Sequence, residues 1–241
     1  MTPSAGAPST WLRLPLAFDV ARMQRECDQF ADDDWISHFN TGVYDNGWSC
    51  LPLRSAGGDA RHIMPLDGVP YASTRHLARC PYLRAIIAGF KCGTGAVRLM
   101  ALAPGAAIRA HRDAGTALMD GLTRIHIPIH SSPQVLFCID GETVHFAPGH
   151  AWYMDASCLH AVHNQSAAPR VHLIIDCITN AWLEALFAAA GFVPKAAAKY
   201  GDPSINDGNV RAVIAQLRAV PTPASLALAG KLATLAGAAA T

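Results

Sequence analysis

The sequence predicts a mainly β fold with flanking helices, a sandwich or barrel, on three observations. Between residues 96 and 178, short runs of β-branched and aromatic residues recur at intervals of roughly eight to twelve, divided by turn residues. On either side of that stretch the apolar spacing changes to three or four, which is helical. Hydrophobic residues make up 51% of the 241 positions, enough to bury one sizeable core.

The elements follow in order. Residues 1–10 are small, polar and Pro-containing and are expected to form a loose end. Val20, Met23, Cys27 and Phe30 then share one face of a helix within Phe18–Phe30. A loop-rich section around residues 39–62 holds one strand-like run, Trp48 to Leu53. PYLRAIIAGFK, residues 81–91, reads as a short helix with Pro81 in its first turn. The strand-like runs are VRLMAL, AAIRAH, RIHIPIH, QVLFCI, TVHF, AWYMD and RVHLIIDCI. Helical patterns return with WLEALFAAAGF, ended by Gly191, then NVRAVIAQLRAV and an Ala/Leu-rich tail that Pro221 and Pro223 set apart.

Nineteen basic and eighteen acidic side chains leave a formal charge of +1, which argues against an electrostatic grip on nucleic acid or an anionic membrane. No stretch approaches the roughly eighteen uninterrupted apolar residues of a membrane span, and the first residues lack the pattern of a secretory signal. The seven cysteines are scattered without a CxxC pair, which suits reduced, buried thiols in the cytoplasm.

Chemistry concentrates in the strand-rich part. His111 and Asp113 stand at i and i+2, which on a strand face the same side, and His160 follows 47 residues after Asp113. Two imidazoles and one carboxylate make the ligand set of non-haem Fe(II) centres that leave positions open. Arg170 lies ten residues beyond His160, room for a turn and a return strand, so its guanidinium is a candidate partner for a carboxylate in the same cavity. The HIPIH spacing copies a helical metal pair, but in a β-branched run its two histidines lie more than about 10 Å apart.

VRLMALAPGAAIRAHRD, RIHIPIH, HAWYMDASCLHAVHNQ and PRVHLIIDC together resemble successive segments of the aspartyl/asparaginyl β-hydroxylase family of 2-oxoglutarate oxygenases, including its bacterial amino-acid hydroxylases. A weaker echo lies in GWSCLPLRS. The resemblance implies a double-stranded β-helix, the jelly roll shared with cupins, as the core at 94–180, with an N-terminal helical and loop region at 1–93 and a C-terminal helical extension at 181–241. It implies Fe(II) on His111, Asp113 and His160, and 2-oxoglutarate as co-substrate on Arg170 with His126 beside it. Arg124 matches an arginine associated with an acidic substrate. Asp113 stands where animal members lack a carboxylate, which places the chain nearer the bacterial amino-acid hydroxylases.

The remaining candidates are weighed against simpler roles. Tyr44, Trp48 and Arg54 combine aromatic surface with a cation, as a substrate site does, or as a cover for the barrel does. His130, His145, His150, His163 and His172 read as surface or hydrogen-bonded histidines, and Trp152 and Tyr153 as core or rim aromatics. Asp155 either orients His160 or caps a turn. The implied activity is a dioxygenase hydroxylating an unactivated C–H of an amino acid, free or in a peptide, with a carboxylate-bearing partner and neither nucleic acid nor membrane. A non-catalytic cupin-like binding module and a metal-dependent hydrolase or isomerase on the same barrel stay open as alternatives. The C-terminal helices are expected to pack on their own barrel or on a second subunit, giving a homo-oligomer.

Overall fold

The computed structural model describes residues 7–64, 66, 68–113, 115–195, 199–202 and 204–237. In chain order its strands and helices are β1 Trp11–Ala17, α1 Val20–Cys27, β2 Ile36–Ser37, β3 Trp48–Ala56, β4 Tyr71–Ser73, α2 Arg75–Ala78 and α3 Pro81–Gly89. Then come β5 Thr94–Leu102, β6 Ala107–His111, β7 Leu122–His130, β8 Val135–Ile139, β9 Glu142–Val144, β10 His150–Met154, β11 His160–Asn164 and β12 Arg170–Ile178. Helices α4 Ala181–Ala189, α5 Val210–Ala219 and α6 Pro223–Gly237 follow. Two compact units divide the chain, residues 1–194 and 195–241.

In the first unit the strands form two antiparallel sheets. The larger runs β1-β10-β7-β12-β5-β3-β2, with β4 also on β3, and the smaller runs β6-β11-β8-β9. This is the jelly-roll arrangement of a double-stranded β-helix, as the family resemblance implies. Period-2 alternation gives the large sheet two different faces. Leu51, Leu53, Val97, Leu99, Ile125, Ile127, Ile129, Leu173 and Ile175 point to one side, where they pack with Met23 of α1, Leu83 and Ile86 of α3, and Leu183 and Phe187 of α4. The opposite side meets the small sheet through Cys50, Met100, Leu102 and Ile174 against Phe137, Ile139, Val144 and Val162.

Local signals explain the helix ends. The Asp19 carboxylate accepts from the Arg22 N–H at the start of α1, and the Asn180 side chain accepts from the Leu183 N–H at the start of α4. Four strands went unread in the sequence, the short β2 and β4 and two longer ones. Trp11–Ala17 pairs with β10, closing an edge of the large sheet, and His160–Asn164 lies between β6 and β8. The expected loose end lies outside the described residues as far as residue 6, whereas Ser9 is buried and its N–H donates to the Val193 carbonyl.

The second unit has its own small core. Tyr200, Val210 and Ile214 cluster with Ala229 and Leu232, so α5 and α6 bury one stripe each. No helix among the described residues is long and apolar enough to cross a membrane.

Candidate active site

A cavity of about 330 Å³ opens between the sheets. Its wall brings together side chains far apart in sequence: His111, Asp113 and His160 at one place, with Arg98, Arg124, His126, Arg170 and Trp48 around it.

The first three are placed by backbone pairing. His160 of β11 lies directly opposite His111 of β6, and their ring centroids are 4.2 Å apart. Asp113 lies two residues beyond the end of β6, where its N–H donates to the Ala156 carbonyl at 2.8 Å. That bond, in place of a continued strand, returns the carboxylate to the histidines, with Oδ1 3.8 Å from His111 Nε2. One ligand atom from each of the three lies within 4.8 Å of the others. Both rings are held in the same way: Nδ1 of His111 meets the Arg109 carbonyl at 2.8 Å and Nδ1 of His160 meets the Cys158 carbonyl at 3.0 Å. As the donor in each bond Nδ1 carries the proton, which leaves Nε2 of each ring as the free lone pair. Burial lowers the His160 pKa, favouring the neutral ring a metal needs.

The inner face of the large sheet carries the rest. Arg170, His172, Ile174 and Asp176 alternate along β12 with the apolar residues of its outer face. Asp176 is 3% exposed and sits between two guanidinium groups: Arg124 Nε donates to its Oδ1 at 2.7 Å and Arg98 Nη2 to its Oδ2 at 2.9 Å. Burial alone would raise the Asp176 pKa, but Arg124 and Arg98 overcome it and hold the carboxyl below its usual range. Arg98 and Asp176 were not singled out in the sequence. The available signal was a charge in the middle of each apolar run, GAVRLMAL and VHLIIDCI.

Arg170 differs from its neighbours. It is 3% exposed, its Nε has no hydrogen-bond partner, and no carboxylate pairs with it among the described residues. Burial draws its pKa down to about 10, and its nearest compensation is the Phe137 ring, 5.6 Å away. His126 likewise has no partner at either ring nitrogen, and burial with the nearby Arg124 and Arg170 pushes its pKa down to about 3. Divalent-metal ligands with free lone pairs beside a buried, unpaired cation fit a metal ion together with an anionic ligand.

Trp48 is brought to the cavity, stacked on His38, but Arg54 is not. The register slips between Pro52 and Arg54, so Arg54 lies opposite Val97, a residue of the outer face, and its Nε donates to the Thr94 carbonyl. Tyr44 is buried behind Trp48, and its hydroxyl donates to the His38 carbonyl. Asp155 caps a turn, accepting from the N–H and hydroxyl of Ser157. His130 bonds Asp28 at 2.8 Å, whereas His172 departs from the expected satisfied histidine: it is fully buried, with both nitrogens unpartnered.

Several known proteins are similar to this chain. L-proline cis-3-hydroxylase 1 from a Streptomyces species is 28% identical over 169 residues, covering 67% of this chain and 57% of that protein. L-proline cis-4-hydroxylase from Rhizobium meliloti is 23% identical over 169 residues, covering 69% of this chain and 60% of that protein. The chain thus spans less than two thirds of the length of either relative. A solved oxidoreductase of the 2OG-Fe(II) oxygenase family from Burkholderia pseudomallei superposes on 69% of this chain and 83% of its own, at 14% identity and a TM-score of 0.43. The model of the aspartyl/asparaginyl beta-hydroxylase family matches residues 17–180, and by that match the chain belongs to this family.

Proposed function

We propose that the protein is an Fe(II)- and 2-oxoglutarate-dependent dioxygenase that hydroxylates an unactivated C–H of a small, carboxylate-bearing amino acid. His111, Asp113 and His160 hold the iron, Arg170 and His126 hold 2-oxoglutarate, and Arg124 and Trp48 face the substrate. The observation that carries the reading is Arg170, a buried cation without a carboxylate in the same cavity as the three ligands. Neither a non-catalytic binding module nor a hydrolase requires such a charge ten residues beyond the last ligand.

When bound, the iron and its co-substrate supply the oxidising chemistry, with 2-oxoglutarate converted to succinate and carbon dioxide as one oxygen atom enters the C–H bond. The chain supplies position and environment. Arg170 has a planar fork suited to a carboxylate, and its burial strengthens that contact by excluding water. The neutral His126, with both nitrogens uncommitted, is a second group for the same ligand. Phe137, Ile108, Val162 and Ile174 line the cavity with apolar surface and keep water from competing.

The substrate class rests on size and charge. About 330 Å³ is at the low end for small-molecule sites and must hold co-substrate and substrate together, which favours a compact molecule over a long peptide. Arg124 beside the ligands favours a carboxylate, and the two proline hydroxylases among the relatives support a free amino acid. Cys27, Cys50, Cys80 and Cys177 are buried outside any disulfide, and Cys92 and Cys138 are half-buried outside any disulfide, which supports a reducing cytoplasmic setting.

Anaerobic addition of Fe(II) and 2-oxoglutarate is expected to give a weak visible band at roughly 500–530 nm. His111→Ala or His160→Ala should abolish the band and metal binding while the protein stays folded. Full binding of Fe(II) by either variant would remove the assignment.

A further inference from the structure

The chain between β2 and β3 brings a group to this cavity that the sequence did not mark. His38 lines it, and the ring is fixed from several sides. It stacks on Trp48 with centroids 3.5 Å apart and planes 15° apart, on Phe39 at 4.5 Å and 26°, and meets the edge of Tyr44. Its backbone is tied to β3 through a 2.9 Å bond from the His38 N–H to the Trp48 carbonyl.

The tautomer follows from one further contact. The Asn40 N–H donates to His38 Nδ1 at 3.2 Å, so Nδ1 presents its lone pair. A neutral imidazole with an accepting Nδ1 carries its proton on Nε2. The ring is neutral: burial, reinforced by Arg98, Arg124 and His111, lowers its pKa to about 3. Nε2–H is therefore the donor of this cavity-lining ring, and among the described residues the one hydrogen bond of the His38 side chain is the one at Nδ1. The cationic side chains near it are the guanidinium groups of Arg98 and Arg124, themselves donors, and their three hydrogen bonds to a carboxylate all go to Asp176. Donors thus converge on this side of the cavity, and an acceptor-rich ligand completes them.

We propose that His38 is a specificity residue of this site, donating its Nε2–H to the substrate carboxylate that Arg124 also faces. The assignment rests on the oxygenase reading given above. It makes the rim segment 38–40 part of substrate recognition, through a group that discriminates against substrates whose carboxylate is masked.

Two variants separate donor from stacking partner. His38→Phe keeps a flat ring between Trp48 and Phe39 but removes the donor, while His38→Gln keeps an N–H near the Nε2 position and loses the stack. The substrate probe is L-proline, or, if it is not turned over, whichever standard free amino acid gives the fastest succinate formation, compared with its own carboxamide. For His38→Phe we expect KM to rise about ten- to a hundredfold, the range for a hydrogen bond to a charged group, with a smaller change in kcat. The preference for acid over amide should shrink by a similar factor, and His38→Gln should recover most of it. Affinity for 2-oxoglutarate, read from the visible band, should be unchanged in both variants. An unaltered KM and acid preference in His38→Phe overturns the assignment while leaving the oxygenase reading intact. Turnover of no amino acid by wild type with 2-oxoglutarate bound removes the carboxylate-substrate assignment and His38 with it. Absence of the band in wild type removes the oxygenase reading first and this inference as its consequence.

Discussion

The two faces of the large sheet are built from the same strands and bury their side chains to similar degrees, yet their chemistry is opposite. Along β12, Val171, Leu173, Ile175 and Cys177 on the outer face are apolar and at most 6% exposed. On the inner face Arg170, His172 and Asp176 are at most 3% exposed. The outer face is a packing surface whose partners are the helices. The inner face holds groups that burial disfavours, and it satisfies only some of them. Stability explains the first face. The second carries unpartnered buried polar groups that packing alone does not account for, and the proposed ligands would.

That contrast is open to direct attack. The largest effect is expected where inner-face charges depend on one another. Asp176→Ala leaves Arg98 and Arg124 buried without their shared anion and should cost about 3–5 kcal/mol in urea unfolding of the metal-free protein. A loss under about 1 kcal/mol would show that solvent reaches these guanidinium groups. On the other face Leu173→Ala removes a fully buried side chain and should cost about 2–5 kcal/mol. It should do so with no change in 2-oxoglutarate affinity beyond that caused by partial unfolding.

Arg170→Met should act in opposite directions on two measurements. Co-substrate affinity should fall by about 2–5 kcal/mol, roughly thirtyfold or more. Stability of the ligand-free protein should hold or rise by about 1 kcal/mol, because an unpaired buried cation has been replaced by an apolar side chain. A variant that loses stability instead would mean that the guanidinium has a structural anion partner.

The smallest effect is on pH dependence. His126 and His38 have folded-state pKa values near 3, below the usual value of 6.5. Between those values the unfolded chain binds more protons, so stability is fully present above about pH 6.5 and falls as pH drops from there towards 3. Each group contributes a slope of at most about 1.4 kcal/mol per pH unit. His126→Phe should make the fall in the midpoint of urea unfolding between pH 7 and pH 5 shallower. An identical profile would show that His126 binds protons in the fold as readily as in the unfolded chain.

Much of this was legible in the chain. Alternating apolar residues in RIHIPIH and RVHLIIDCI determined that these segments are strands and which side chains face the helices, because a period of two is a property of the local backbone. The order and spacing of His111, Asp113, His160 and Arg170 marked the residues that the cavity now unites. The short strand His160–Asn164 was hidden because HAVHN is half polar, and its strand character comes from pairing on both sides with β6 and β8. Arg54 was misleading because strict alternation puts it on Trp48's face, and only the bulge at Pro52 turns it away.

By itself, then, the sequence determined the strand character of the core, the apolar face of the large sheet and the identity of the metal-ligand candidates, all of which depend on residue type and local spacing. The tertiary structure decided which charges neutralise one another and which stay free. Arg98, Arg124 and Arg170 are the same residue type at unremarkable positions in the chain. Two of them share Asp176, contributed by a strand 78 and 52 residues away, and the third has no such partner. That difference is long-range, because electrostatic pairing is fixed by distance in the folded cavity and leaves no mark on local sequence. The same holds for His38, whose tautomer and orientation exist only once Trp48, Phe39 and the Asn40 N–H have closed around it.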